Sequence, residues 1–127
     1  MRPIEFRGWA KDKNWPKERS RWLFGDYEYS EKGKYPEMYC VYGYEVIPES
    51  VGQFIGMTDK NGVKIFGAVG GKGGDLVKKY NAIFSVEYIG AEWVLKSIVK
   101  PDFCIPFAAC DISDIIIVGN AYEGVKK

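Results

Sequence analysis

The residues able to do chemistry are few in this 127-residue chain, and histidine is not among them. Ser-His and Cys-His nucleophile pairs and imidazole metal sites are therefore out of reach. The cysteines, Cys40, Cys104 and Cys110, are odd in number and lack CxxC spacing. They read as reduced thiols serving as small core hydrophobes, in line with a reducing cytosol. Zinc would need a carboxylate as a fourth ligand, and nothing in the spacing gathers one. Asp111 and Asp114 are near enough in sequence for an acid–base pair, and Asp59 stands beside Asn61-Gly62. In such turn settings a short Asp side chain bonds back to neighbouring amides, and that is the role assigned to each. The run Gly67–Gly74 invites a phosphate-loop reading. However, Walker spacing places Phe66 where the first glycine belongs, and Gly73 follows Lys72 where Ser or Thr is required. Leu76–Tyr80 is strand-like and offers phosphate no helix N-terminus, so a flexible loop is expected. No catalytic residue, metal site or cofactor is assigned, and a carboxylate-based enzyme is the weakest reading.

Binding chemistry is better represented. Lys11, Lys13, Lys17, Arg19 and Arg21 flank Trp15, a combination that could follow a single nucleic-acid strand with Trp15 stacking on a base. A charge run in a connection is more often a solvated loop. The whole-chain balance of 18 basic and 17 acidic residues gives a net charge of +1. That removes the electrostatic warrant for duplex nucleic acid or an anionic membrane as the main partner. Tyrosine is plentiful: Tyr27, Tyr29, Tyr35, Tyr39, Tyr42 and Tyr44 exceed what one small core needs. Tyrosine favours interfaces, so Tyr27, Tyr29, Tyr39, Tyr42 and Tyr44 form a candidate surface for a protein partner or a second copy of the chain.

The elements that must position these residues are strands. The chain is 46% hydrophobic and 16% aromatic with 15 glycines, a composition of strands and turns, and its length suits one compact unit. Ile4–Trp9 and Trp22–Tyr29 alternate with period 2 and form a first hairpin; Met38–Tyr44 resumes the β pattern. Phe54–Phe66 is a second hairpin, reversing at Asn61-Gly62 where a positive φ is required. Tyr80–Tyr88 and Glu92–Val99 pair across Gly90. Pro101–Cys110 is apolar enough to cover a barrel end, and Asp111–Asp114 is a turn or 3₁₀ step. Ile115–Val118 is the most apolar strand, and the tail from Gly124 is expected to fray. Neither an N-terminal apolar targeting segment nor a membrane-length apolar run is expected.

Glu45–Phe66, which contains Val51-Gly52-Gln53-Phe54 and Asp59-Lys60-Asn61-Gly62, closely resembles the signature of the YopX family of phage and prophage proteins. The opening Ile4-Glu5-Phe6-Arg7-Gly8-Trp9 and the closing Ile117-Val118-Gly119-Asn120-Ala121-Tyr122-Glu123 are similar to the two ends of that family's pattern. The glycine run 67–74 departs from it as an insertion before Gly74-Asp75-Leu76-Val77. The resemblance implies a mainly β fold: a small SH3-like barrel over 52–127, preceded by a β-hairpin extension over 1–51. It makes Gly52, Phe54, Gly56, Asp59, Asn61, Gly62, Ile65, Asp75, Gly119, Asn120 and Tyr122 signature positions of structural weight. It also implies an accessory or binding module in the cytoplasm of a bacterial host carrying phage or prophage, acting by protein contact or self-association and not by catalysis.

Overall fold

Alternating apolar residues need a partner surface on one side only, and this chain supplies it by folding strand on strand. A computed structural model describes residues 5–30, 38–69, 71–107 and 112–125; Ile4, Tyr35, Cys110 and Asp111 lie outside them. Among the described residues the structure is mainly β, with 3₁₀ turns and no α-helix. The strands are β1 (Phe6–Trp9), β2 (Trp22–Gly25), β3 (Tyr27–Ser30), β4 (Met38–Val41), β5 (Tyr44–Glu45), β6 (Gly52–Thr58) and β7 (Lys64–Ala68). They continue with β8 (Asp75–Lys79), β9 (Ala82–Ile89), β10 (Glu92–Ser97), β11 (Cys104–Pro106), β12 (Ile116–Asn120) and β13 (Gly124–Val125).

Ten strands make one sheet in the order β13-β12-β8-β9-β7-β6-β1-β2, with β10 on β9 and β11 on β10; β3-β4-β5 form a second, three-stranded sheet. The large sheet curls into a half-barrel around Ile55, Ile65, Val77, Phe84, Val86, Leu95, Phe107 and Ile115. Ala10, Trp15, Leu23, Val41, Val46 and Val51 form a second core, under the N-terminal strands. β1 continues the large sheet by pairing with β6, Phe6 opposite Gln53 and Arg7 opposite Gly52.

The first hairpin forms as expected between β1 and β2, with Trp9 opposite Trp22 and Arg7 opposite Phe24. Trp22–Tyr29, however, is not one strand. It breaks at Gly25, whose φ of 149 redirects the chain into β3 and the second sheet. Met38–Tyr44 is likewise a hairpin: Tyr42 (φ 53) and Gly43 (φ 78) are both left-handed, the conformation of a two-residue type I′ turn. The reversal after β6 is longer than a two-residue Asn-Gly turn. The Asp59 N–H donates to the Val63 carbonyl at 2.8 Å, and of the pair Asn61-Gly62 only Gly62 has positive φ.

Two further expectations are corrected. The described part of the glycine run is packed, not loose: the Lys72 N–H donates to the Glu49 carbonyl, and a Cβ on Gly73 would lie 2.0 Å from the Val51 carbonyl oxygen. Glycine is required there because two backbones touch. At the other end, Gly124 and Val125 pair with Asn120 and Gly119.

Candidate binding cleft

Side chains alternate across a strand, so the β1–β2 register decides what the hairpin shows to each side. Leu23 and Ala10 fall in the second core. Arg7, Trp9, Trp22 and Phe24 project from the opposite face, where the Trp9 and Trp22 rings meet edge to face at 5.3 Å. This face looks across a cleft at the β6–β7 turn and at β12.

Arg7 is the centre of that face and is only 7% exposed. Its guanidinium carbon lies 4.7 Å from the Trp22 ring centre and 4.9 Å from that of Phe66, a cation beside two aromatic rings. Nε and Nη2 both donate to the Gly73 carbonyl, at 3.2 and 2.9 Å, and Nη2 lies 2.9 Å from Asp75 Oδ1. The second Asp75 oxygen accepts the Phe66 N–H at 2.8 Å. Burial opposes both charges. It holds the Asp75 carboxyl above its ordinary range despite the adjacent guanidinium, and it lowers Arg7 despite the carboxylate.

Asp59 joins the hairpin to β12. One of its oxygens accepts the N–H groups of Asn61 and Val63, both at 2.9 Å, and the other accepts the Ile117 N–H at 3.1 Å. The Lys60 N–H adds a bond to the Ile115 carbonyl at 2.9 Å. The half-barrel is thus stitched across its open side by a turn. Beyond β12, Glu123 receives the Asn120 side-chain amide at 3.0 Å and the Trp22 indole N–H at 2.7 Å on the same oxygen, and Tyr122 packs on Trp9 and Trp22.

Between these groups lies a cleft of about 730 Å³, within the usual range of ligand sites. Arg7, Trp22, Phe24, Val63, Lys64 and Phe66 line it with Asp59, Asn61, Asp75 and Ile116–Asn120. A family model described as YopX protein matches residues 5–126. The chain belongs to the YopX family. No curated protein and no solved structure gives a significant match. Of the positions that mark YopX in this sequence, Asp59, Asn61, Asp75, Gly119 and Asn120 all line the cleft, although they are spread over about half of the chain. Gly52 and Ile65 are buried and Phe54 packs on Phe66; Gly56 and Gly62 have positive φ, and Tyr122 lies with the tryptophans.

The other surfaces named from the sequence are placed apart from this one. Trp15 is buried: its indole N–H donates to the Ser20 carbonyl, Arg19 covers the ring and Tyr44 meets it at right angles. Arg21 donates to the carbonyls of Ala10 and Asp12, and Lys11 pairs with Glu45, while Lys13 and Lys17 are exposed. Tyr27 packs against Phe6 and Tyr39 over the second core, and desolvation raises its hydroxyl pKa. Tyr42 and Tyr44 are 67% and 43% exposed, and Tyr29 lies on β3. Asp114 pairs with the buried Lys79 at 2.5 Å. Sequence reasoning passed over Arg7, Trp22, Phe24 and Phe66. Arg7 and Phe66 lie within the segments that resemble the family, and alternation sets Arg7 and Trp9 on one face of β1, and Trp22 and Phe24 on one face of β2.

Proposed function

We propose that this YopX protein is a non-enzymatic binding module, an accessory factor of a phage or prophage acting in the host cytoplasm, and that its cleft takes hold of a protein partner. The fold reading that accompanies this is an SH3-like barrel with an N-terminal β extension. One observation carries the proposal: the signature positions Asp59, Asn61, Asp75, Gly119 and Asn120 converge with an aromatic-clamped arginine on a single cleft. The side chains of Asp59, Asp75 and Asn120 are bonded to the protein itself, and no buried side-chain polar atom is left without a partner among the described residues. Groups committed in this way shape a surface, whereas an acid–base pair needs a site for a proton to move to.

Nucleic-acid binding through the basic loop draws less support, because Trp15 is buried and Arg21 is spent on backbone carbonyls. The test compares the protein with its Phe24→Glu variant, which charges the mouth of the cleft at a half-exposed position. Light scattering measures self-association of each, and recovery from lysate of infected or lysogenic cells measures a separate partner. The expected result is association by one of these routes that Phe24→Glu abolishes. Association that survives Phe24→Glu, or none with either form, overturns the reading.

A further inference from the structure

Resting on the cleft reading above, we infer that the occupant is an extended, uncharged stretch of polypeptide that places an aromatic or large apolar side chain against the exposed Phe24 and Val63. Three observations converge on it.

The first is the arginine. Nε and Nη2 of Arg7 are taken up by Gly73 and Asp75, and Nη1 has no protein partner among the described residues. No buried polar side-chain atom lacks a partner there, so Nη1 is open to solvent, and Arg7 reaches solvent where it lines the cleft. Two rings within 5 Å of its guanidinium carbon and three short contacts fix its direction. It is a rigid donor waiting for an oxygen.

The second is the charge around that donor. Arg7 and Lys64 are the cations of the lining and Asp59 and Asp75 its carboxylates, and Glu5 and Glu123 bond to lining residues from beside it, so the cleft carries no excess positive charge. Asp75 already neutralises Arg7 at 2.9 Å. A carboxylate or phosphate reaching Nη1 would come close to Asp75 and lose hydration for little net attraction. A peptide carbonyl accepts the same hydrogen bond without that opposition.

The third is backbone. The Ala10 N–H donates to the Arg21 carbonyl and the Ala10 carbonyl accepts from the Arg21 guanidinium, which sets Ala10 opposite Arg21 at a hydrogen-bonding position of the ladder. By the alternation of an antiparallel ladder, Trp22 and Phe24 then turn their N–H and C=O groups away from β1. The Trp22 N–H is met by the Ser20 hydroxyl, whereas the backbone groups of Phe24 on that side meet no partner among the described residues. One residue thus offers both an aromatic ring in the cleft and a free donor–acceptor pair beside it, as an added strand requires.

The test is amide NMR titration of the full chain with three small probes: N-acetyl-phenylalanine amide, N-acetyl-phenylalanine carrying its carboxylate, and adenosine. The amide is expected to bind with a dissociation constant on the order of 1 mM, given its size, shifting the amides of Phe24, Val63 and Val118. Lengthening it to N-acetyl-Ala-Phe-Ala amide should tighten binding. Phe24→Ala should weaken it about 5-fold, by loss of a ring contact. Val63→Ser, an exposed turn substitution, gives an independent check should Phe24→Ala fold poorly. If the carboxylate or adenosine binds the cleft as tightly as the amide, or if neither substitution weakens the amide, the peptide assignment falls while the cleft stands. If no probe shifts cleft residues, both fall.

Discussion

Arg7 and Asp75 are a buried ion pair of the kind whose desolvation rivals its attraction, and the shift of both groups by burial fits that account. Removing only the cation should therefore be costly. Arg7→Met is expected to lower stability by about 3–5 kcal/mol at neutral pH, read from urea unfolding. The deficit should narrow in mildly acidic buffer. The folded-state pKa of Asp75 lies above its reference of 3.8, so its protonation favours the folded chain. That contribution is complete below the unfolded pKa and is lost as pH rises through the folded one. In Arg7→Met only the Phe66 N–H remains to favour the charged carboxylate, so protonation recovers more. A second residue carries strain of another sort. Tyr42 is an exposed non-glycine residue in the left-handed region of a type I′ turn, where asparagine is tolerated better. Tyr42→Asn should raise stability by about 1 kcal/mol, seen as a higher urea midpoint with an unchanged slope.

The β6–β7 turn is an element acting through one side chain. Asp59→Ala removes acceptors from the N–H groups of Asn61, Val63 and Ile117 together. A buried donor left without a partner costs about 1–3 kcal/mol. The expected signature is faster hydrogen exchange at Ile117 than at residues of the β8–β9 ladder, because the stitch to β12 opens while the sheet persists. Elements were also the scale at which sequence was most legible. Alternation and turn residues located β9, β10 and their reversal at Gly90 and Ala91, both of positive φ, along with β1, β2 and β12. They missed the break at Gly25, since Trp22–Tyr29 keeps its alternation straight through it. They made 67–74 a loose loop, since close approach of Gly73 to Val51 is a tertiary fact without a local mark. The cleft was half legible. Asp59, Asn61, Asp75, Gly119 and Asn120 stood out through the family pattern. Arg7 did not, because its partners Gly73 and Asp75 lie more than sixty positions away.

At the scale of the molecule, the curled sheet brings its distant strands together through side chains. Trp22 of β2 meets Glu123 and Tyr122, next to β13, at the other end of the strand order. Trp22→Phe keeps the ring packing and deletes the indole donor. It should cost about 1 kcal/mol and speed exchange at the β12–β13 pairing, leaving the β9–β10 hairpin protected. The same seam explains why the signature positions are scattered. The β6–β7 turn, the start of β8 and the end of β12 each supply part of one wall, and only the curl of the sheet joins them.

That seam also bears on how the protein is made. The Trp22–Glu123 bond links residues 101 positions apart, and long-range closures of this kind are slow to form. During synthesis the N-terminal hairpin and the β6–β7 turn emerge first, and the wall from Ile116 to Asn120 follows some fifty residues after that turn. A chain extended only through β8 would have Arg7 held by Gly73 and Asp75, and the β6–β7 turn present, with the β12 wall still missing. Binding in the cleft therefore requires a chain synthesised at least through Asn120.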